Sequence, residues 1–101
     1  MWLFAMFDLP TTEDEQKKEY VRFRKFLLSQ GFSMLQFSVY ARHCPTEASG
    51  EAIRSKIGER VPPRGQVRLL MVTDKQFGKM QNFYGKSRQP TEEPPQQYML
   101  F

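Results

Sequence analysis

The sequence predicts a single α+β domain in which an antiparallel sheet carries two helices on one face. Apolar runs typical of strands alternate with two amphipathic segments, in the order strand, helix, strand or strand pair, helix, strand and further short strands. The length of 101 residues fits one domain. Two strands are apolar on both faces, whereas two helices cover only one face of a sheet. We therefore predict a ferredoxin-like sandwich that forms a homodimer through the other face of its sheet.

The first segment, residues 2–9, has the composition of a strand that is covered on both sides. Pro10 cannot continue a strand ladder, so the strand ends before it. Asp8 is thus a carboxylate at the end of an otherwise apolar strand. With the two-residue period of a strand, one face carries Leu3, Ala5, Phe7 and Leu9. The other face ends in Asp8, and its apolar members are candidates for contact with a second copy: Trp2, Phe4 and Met6.

The next segment is predicted to be a helix that begins near Thr12 and ends before Gly31. Thr12 and Glu15 have the spacing of a capping box, and glycine is common just beyond the end of a helix. The core stripe of this helix consists of Tyr20, Phe23 and Leu27. A separate face carries a basic stripe of Lys18, Arg22 and Lys25.

Residues 32–44 are rich in strand-forming residues, but the run is long for one strand. We expect a bend near Gln36, and two short strands are the alternative interpretation. Thr46 is expected to cap a second helix that extends to about Val61, and Pro62 ends that helix.

The remaining sequence contains one long strand and a polar, proline-rich segment. Residues 65–74 form the strand, again apolar on both faces, and a helical turn and a short strand follow. We place the core domain at residues 1–84 and a linker with a C-terminal strand at residues 85–101. The sequence closes on apolar residues that are predicted to contact a second copy or another protein: Tyr98, Met99, Leu100 and Phe101.

The composition limits the class of protein. Lys and Arg total 15 against 11 Asp and Glu, an excess that permits a nucleic-acid partner without requiring one. Cys44 is the one cysteine, so no disulfide forms within the chain, and a cytoplasmic location is indicated. The apolar N-terminal run is too short to cross a bilayer and no basic region precedes it, so we expect neither a membrane helix nor a signal peptide.

Asp8 admits two interpretations. An acid at a strand end often accepts hydrogen bonds from the turn that follows it. Alternatively, Asp8 is a metal ligand, because Mg²⁺ is often held by one or two protein carboxylates together with waters and phosphate oxygens. A symmetric dimer could bring two copies of Asp8 to its axis, where they would share one ion. Asp8 is therefore the candidate metal ligand and the candidate catalytic residue.

A set of basic residues is the candidate surface for nucleic-acid contact: Lys18, Arg22, Lys25, Arg42 and Arg64. Side chains of this type hold the phosphate backbone of DNA or RNA and carry no sequence preference. A solvated helix face is the alternative interpretation of the stripe on the first helix.

Several blocks of the sequence together resemble the CRISPR-associated Cas-two family, in the style of members found beside type II systems. The blocks are MWLFAMFDLP, GFSMLQFSVYARHC, PPRGQVRLLMVTDKQF and the terminal YMLF, and they span essentially the whole chain. The resemblance implies a ferredoxin-like homodimer in which Asp8 is an Mg²⁺ ligand near the dimer axis. It also implies a metal-dependent endoribonuclease or DNase, and a role as the small subunit of spacer acquisition.

Three functions are left open at this point. In the first, the homodimer bridges two dimers of the Cas-one integrase and holds duplex DNA, with RNA as the alternative nucleic acid. In the second, the protein is an Mg²⁺-dependent nuclease that uses paired copies of Asp8. In the third, it is a toxin-type ribonuclease of similar fold. The first is favoured, because a single carboxylate without a nearby His or Lys as general base provides few of the groups that hydrolysis requires. No membrane partner is expected.

Overall fold

A computed structural model describes residues 1–95 of the chain. Its elements, in chain order, are β1 (Trp2–Asp8), α1 (Asp14–Ser29), β2 (Ser33–Gln36), β3 (Val39–His43), α2 (Glu47–Gly58), β4 (Gln66–Val72), α3 (Asp74–Gly78), β5 (Asn82–Tyr84) and β6 (Ser87–Gln89). The predicted contact residues Tyr98, Met99, Leu100 and Phe101 lie outside the described residues, so their roles stay predictions.

The four long strands form one antiparallel sheet in the order β2-β3-β1-β4. β1 is a central strand, and its Ala5 lies opposite Tyr40 of β3 and Leu69 of β4. The order of the elements and the order of the strands are those of the ferredoxin-like α+β fold, which the sequence predicted. β5 and β6 form a separate hairpin.

The main core lies between the sheet and helices α1 and α2. Leu3 of β1, Leu27 of α1 and Ile57 of α2 are completely buried and belong to one apolar cluster. Within it, the rings of Phe7 and Phe23 pack edge to face with centroids 5.4 Å apart. The predicted core stripe of α1 is therefore confirmed, since Phe23 and Leu27 are buried and Tyr20 packs against the same cluster.

Each of the two long helices differs from the prediction at one of its ends, α1 at its start and α2 at its end. Helix α1 begins after Glu13 instead of Thr12, because the Gln16 side chain accepts hydrogen bonds from the backbone N–H groups of Thr12 and Glu13 at 3.1 and 3.0 Å. Helix α2 starts after Thr46 as predicted, but it ends at Gly58, a residue with low helix propensity, and does not reach Val61.

The segments predicted as one bent strand and as a linker both form hairpins. Residues 32–44 form the strand pair β2 and β3, with a register shift between Met34 and Gln36 where the bend was expected. Ser87–Gln89 pairs with β5 across a turn at Gly85, whose φ is 63°. The predicted boundary between residues 84 and 85 therefore falls within a hairpin, in which Ser87–Gln89 forms a strand, and the division into a core domain and a C-terminal segment stays a prediction.

The sheet face opposite α1 and α2 is covered at one end by the chain itself. Trp2 is only 6% exposed, because its ring stacks on Phe77 of α3 with centroids 4.0 Å apart. A second copy is therefore not needed to bury most of Trp2, and its assignment as a partner contact stays a prediction. Phe4 and Met6, further along the same face, are half-buried, and their assignment stays a prediction.

Candidate functional site

Asp8 lies on the sheet face away from the two long helices. It is the last residue of β1, it is exposed, and it pairs with Gln66 of β4. Met6 pairs in turn with Arg68. Because paired residues of antiparallel strands share a face and alternate residues repeat it, Asp8, Gln66 and Arg68 are on the same face. They line a shallow depression of about 200 Å³ at one corner of the sheet, which we call the Asp8 corner.

A glycine next to this corner holds the end of β1 close to the start of β4. Gly65 has a φ of +93°, which side chains with a Cβ rarely adopt. A Cβ at this position would lie 2.6 Å from the backbone oxygen of Asp8. The close approach of these two backbone segments therefore requires glycine, and it fixes where the Asp8 side chain leaves the sheet.

The Asp8 corner borders an apolar area of the same face that we call the open face. Leu70 is 50% exposed there, and Phe83 and Tyr84 of the β5 hairpin are 56% and 73% exposed. A groove of about 670 Å³ runs between this hairpin and the sheet, where Phe4 and Met6 line it. Apolar area of this extent on a small domain is typical of an interaction surface.

The chemistry of the Asp8 corner fits a divalent cation only in part. Within residues 1–95 the Asp8 carboxylate makes no ion pair, and no group of three or more His, Cys, Asp or Glu side chains is positioned to hold a metal ion. The corner offers a carboxylate and the amide oxygen of Gln66, which are hard oxygen donors of the kind that Mg²⁺ takes. One copy therefore supplies one carboxylate, and the remaining ligands would be waters, phosphate oxygens or a second Asp8.

The basic stripe of α1 is present as predicted, on the opposite layer from Asp8. Lys18, Arg22 and Lys25 are all exposed along one side of the helix. Arg22 is partly neutralised, because its Nη2 lies 3.3 Å from Oε1 of Glu15. The structure therefore does not bring the stripe and Asp8 into one site, and the two remain separate candidate surfaces.

The other two predicted basic contacts are less available to a nucleic acid. Arg64 is 3.7 Å from the carboxylates of both Glu13 and Glu19, so its charge is already balanced within the chain. Arg42 is half-buried, and its side chain lies over Gly31, where an added Cβ would be 3.3 Å from Arg42 Nε. Both assignments remain predictions, and the local geometry makes each weaker than the stripe.

A cluster of charged groups at the other end of β1 was missed by sequence reasoning. Oδ1 of Asp74, the first residue of α3, accepts a hydrogen bond from the Met1 amine at 2.7 Å and lies 3.1 Å from Nε2 of His43. The hydrogen bond from the amine, with a further contribution from His43, lowers the pKa of Asp74. The cluster joins β1, β3 and α3, and no spacing in the sequence points to it because its members are far apart along the chain.

Replacing Asp74 by Asn should destabilise the protein in a pH-dependent way. At neutral pH we expect a loss of up to about 1 kcal/mol, the range of exposed ion pairs. Because the pKa of Asp74 is lower in the folded protein, its stabilisation is complete above the unfolded pKa of about 3.9 and is lost as the pH falls through the folded value. Urea titrations should show the difference between wild type and Asp74→Asn shrinking as the pH falls below about 5.

The matched control for this prediction is Glu93→Gln, which changes an exposed carboxylate. A difference between wild type and Asp74→Asn that stays constant over the acidic range would show that the charge of Asp74 does not stabilise the fold.

Fold and site together define a small α+β protein of ferredoxin-like type with a strand-end carboxylate on the sheet face away from its helices. The chain belongs to the CRISPR associated protein Cas2 family, since the model of that family matches residues 1–80. Family membership, which the resemblance of the sequence blocks predicted, is thus confirmed. No helix among residues 1–95 is both long enough and apolar enough to cross a membrane.

Relatives that match along the whole chain share this family. A protein of Parvibaculum lavamentivorans named CRISPR-associated endoribonuclease Cas2 is 50% identical over 101 residues, which is 100% of both chains. Proteins of the same name from Flavobacterium psychrophilum and Paracidovorax avenae are 43% and 40% identical over 100% of this chain, and the matches cover 88% and 94% of those relatives.

Proposed function

We propose that this chain is the small homodimeric subunit of CRISPR spacer acquisition, which holds duplex DNA by its phosphates and bridges two dimers of the Cas-one integrase. The open face is the observation that carries this proposal. A domain of this size buries a smaller fraction of its surface than a larger domain does, and Leu70, Phe83 and Tyr84 are each at least half exposed. A two-fold contact through that face would cover them and present two copies of every outer surface.

A charged residue in the open face should separate the two copies. Leu70→Glu changes a side chain that is half exposed in one copy, so we expect the fold to tolerate it. Burying an unpaired carboxylate in a dimer contact costs several kcal/mol, so the dimer should weaken by roughly 100-fold or more. Sedimentation velocity over a range of protein concentrations measures this change.

Val21→Glu is the matched control, because Val21 is 44% exposed but lies on α1 in the helical layer. If wild type sediments as a monomer, or if both variants dissociate equally, the open face is not the dimer contact.

Support for duplex binding comes from the charge and the exposure of α1. Lys18, Arg22 and Lys25 lie on one side of the helix, and a dimer would carry two such stripes. Affinity that depends on phosphate contacts is tolerant of sequence and falls steeply with salt. A dimer with two stripes also suits a subunit that lies under a duplex and bridges two identical integrase dimers. The apolar residues Tyr98–Phe101 are proposed to contribute to contacts with the second copy or the integrase.

A second candidate function is an Mg²⁺-dependent endonuclease that cleaves RNA or DNA at the Asp8 corner. The observation that favours it is an exposed strand-end carboxylate with no ion pair within residues 1–95, and relatives carry the name endoribonuclease. A bound Mg²⁺ would supply an activated water and stabilise the leaving oxygen. Asp8, or two copies of it, would hold that ion.

The residues that line the Asp8 corner make cleavage the less favoured of the two candidate functions. Its lining comprises Met6, Phe7, Asp8, Gln66 and Arg68. Met6, Phe7, Gln66 and Arg68 carry no group that serves as a general base, so among the described residues that line the corner no base accompanies the Asp8 carboxylate. We therefore place the binding function first.

We also propose that the protein works in the cytoplasm. Cys44 is a buried free thiol, and the fold is held by apolar packing without a disulfide among residues 1–95. An intracellular duplex-binding role is compatible with both facts.

A further inference from the structure

We propose that Arg68 makes the Asp8 corner a binding site for a single phosphodiester group, separate from the basic stripe of α1. This inference rests on the proposed nucleic-acid function and names the residue that would hold the substrate phosphate beside Asp8. Arg68 is not one of the five basic residues predicted from the sequence to contact nucleic acid.

The position of Arg68 is set by the register of β1 and β4. Asp8 pairs with Gln66 and Met6 pairs with Arg68, so Arg68 is on the same face as Asp8 and diagonal to it. Diagonal neighbours in an antiparallel pair have Cβ atoms within about 7–8 Å of each other, a distance that a long side chain can bridge. Both residues line the same depression.

The two charged side chains of the corner, Asp8 and Arg68, make no ion pair with other residues of the described chain. Arg68 is exposed and makes no ion pair within residues 1–95, unlike Arg64 and Arg54, which contact carboxylates of their own chain. Asp8 also has no ion pair there, so carboxylate and guanidinium lie in one depression without neutralising each other.

This pairing of groups suits a phosphodiester. A guanidinium donates two parallel hydrogen bonds to non-bridging phosphate oxygens, and a carboxylate either takes a cation that shares those oxygens or accepts from a nearby hydroxyl. Gln66 adds an amide that can donate to a sugar or phosphate oxygen.

The neighbourhood of Arg68 also favours an anionic partner. Its flanking residues on the open face, Leu70 and Met6, are apolar and carry no charge that could pair with the guanidinium. If a second copy covers that face, a guanidinium without a close ion pair becomes costly, and a bound anion would offset that cost. A phosphate group would do so without any change of fold.

The test uses a thymidine dinucleotide, which carries one phosphodiester, and full-length protein labelled with ¹⁵N. In EDTA, titration should move the amide signals of residues 7–8 and 66–68 and the Arg68 Nε–H signal. Arg68→Gln should raise the Kd about tenfold, the effect of losing one charge-assisted hydrogen-bond pair. Arg68→Lys should raise it less, because the charge remains and the fork geometry is lost.

Lys56→Gln is the matched control, because it removes one exposed positive charge from α2 in the helical layer. Equal losses for Lys56→Gln and Arg68→Gln would show a general charge effect and overturn the site. Signals that move on α1 instead, or an unchanged Kd for Arg68→Gln, would overturn it too. If Arg68→Gln weakens the dimer but not dinucleotide binding, Arg68 pairs with protein, and the phosphate site is wrong.

Failure of this inference can be told apart from failure of the proposed function. If wild-type protein binds a long duplex but no dinucleotide binds at the corner, the proposed duplex-binding function stands and only the Arg68 site is overturned. If wild-type protein binds neither the duplex nor the dinucleotide, both the proposed duplex-binding function and the Arg68 site are overturned.

Discussion

Changing Lys18, Arg22 and Lys25 together to Glu should reduce duplex affinity by roughly 100-fold at low salt and flatten its salt dependence. Each phosphate contact contributes about 0.9 to the slope of log K against log salt, so losing three contacts lowers the slope by about 2.7 per protomer. All three side chains are exposed on α1 and point away from the core, so the variant should fold normally. Fluorescence anisotropy with a labelled duplex at several salt concentrations measures both quantities.

The single changes of Lys18, Arg22 and Lys25 to Glu should each reduce duplex affinity by a different amount. Arg22 already has Glu15 at 3.3 Å, so part of its charge is compensated before any nucleic acid binds. Lys56→Glu on α2 is the control for a general change in net charge, and Arg64→Glu tests a residue balanced by Glu13 and Glu19. If the triple variant keeps the wild-type slope, the stripe is a solvated helix face and the duplex lies elsewhere.

Asp8→Asn is expected to leave spacer acquisition at the wild-type level and to reduce any Mg²⁺-dependent cleavage by at least about 100-fold. The amide keeps the shape of the side chain, but it removes the negative charge by which a hard divalent cation is held and its bound water activated. Because Asp8 is exposed at a strand end, the variant should dimerise and bind duplex as wild type does. The two measurements are a reconstituted acquisition assay with the integrase and a cleavage assay with labelled RNA and DNA.

Asp14→Asn, another exposed acid at the start of α1, is the control for loss of one carboxylate. If Asp8→Asn abolishes acquisition although dimer and duplex binding persist, the corner is required for the biological reaction and the binding function alone is insufficient. Equal cleavage by wild type and Asp8→Asn would exclude Asp8 as the metal ligand.

Much of the fold was predictable because local patterns and the core agree. Alternation along β1 assigned Leu3, Ala5 and Phe7 to one face, and these residues are buried against α1 and α2. The capping residue Thr46 and the core stripe of α1 were identified from spacing alone. The start of α1 was misplaced by one position because Thr12–Glu15 and Glu13–Gln16 both have capping-box spacing, and only the folded backbone distinguishes them.

Of the two charged residues of the Asp8 corner, the sequence predicted Asp8 but not Arg68. An acid that ends an apolar strand is visible in MWLFAMFDLP, and the structure places Asp8 at such an end. Arg68 could not be connected with it, because the connection depends on the register between β1 and β4. A shift of one residue in that register would put Arg68 on the helical side of the sheet.

By itself the sequence determined the order of the elements from β1 to α3, the buried faces of β1 and α1, the basic stripe of α1 and the strand-end position of Asp8. All of these follow from the period of side chains along a helix or a strand, which is a local property. Only the tertiary structure decided that Phe77 covers Trp2, that Asp74 pairs with Met1 and His43, and that Arg64 is neutralised. Those contacts join residues distant along the chain, and packing and strand register bring them together.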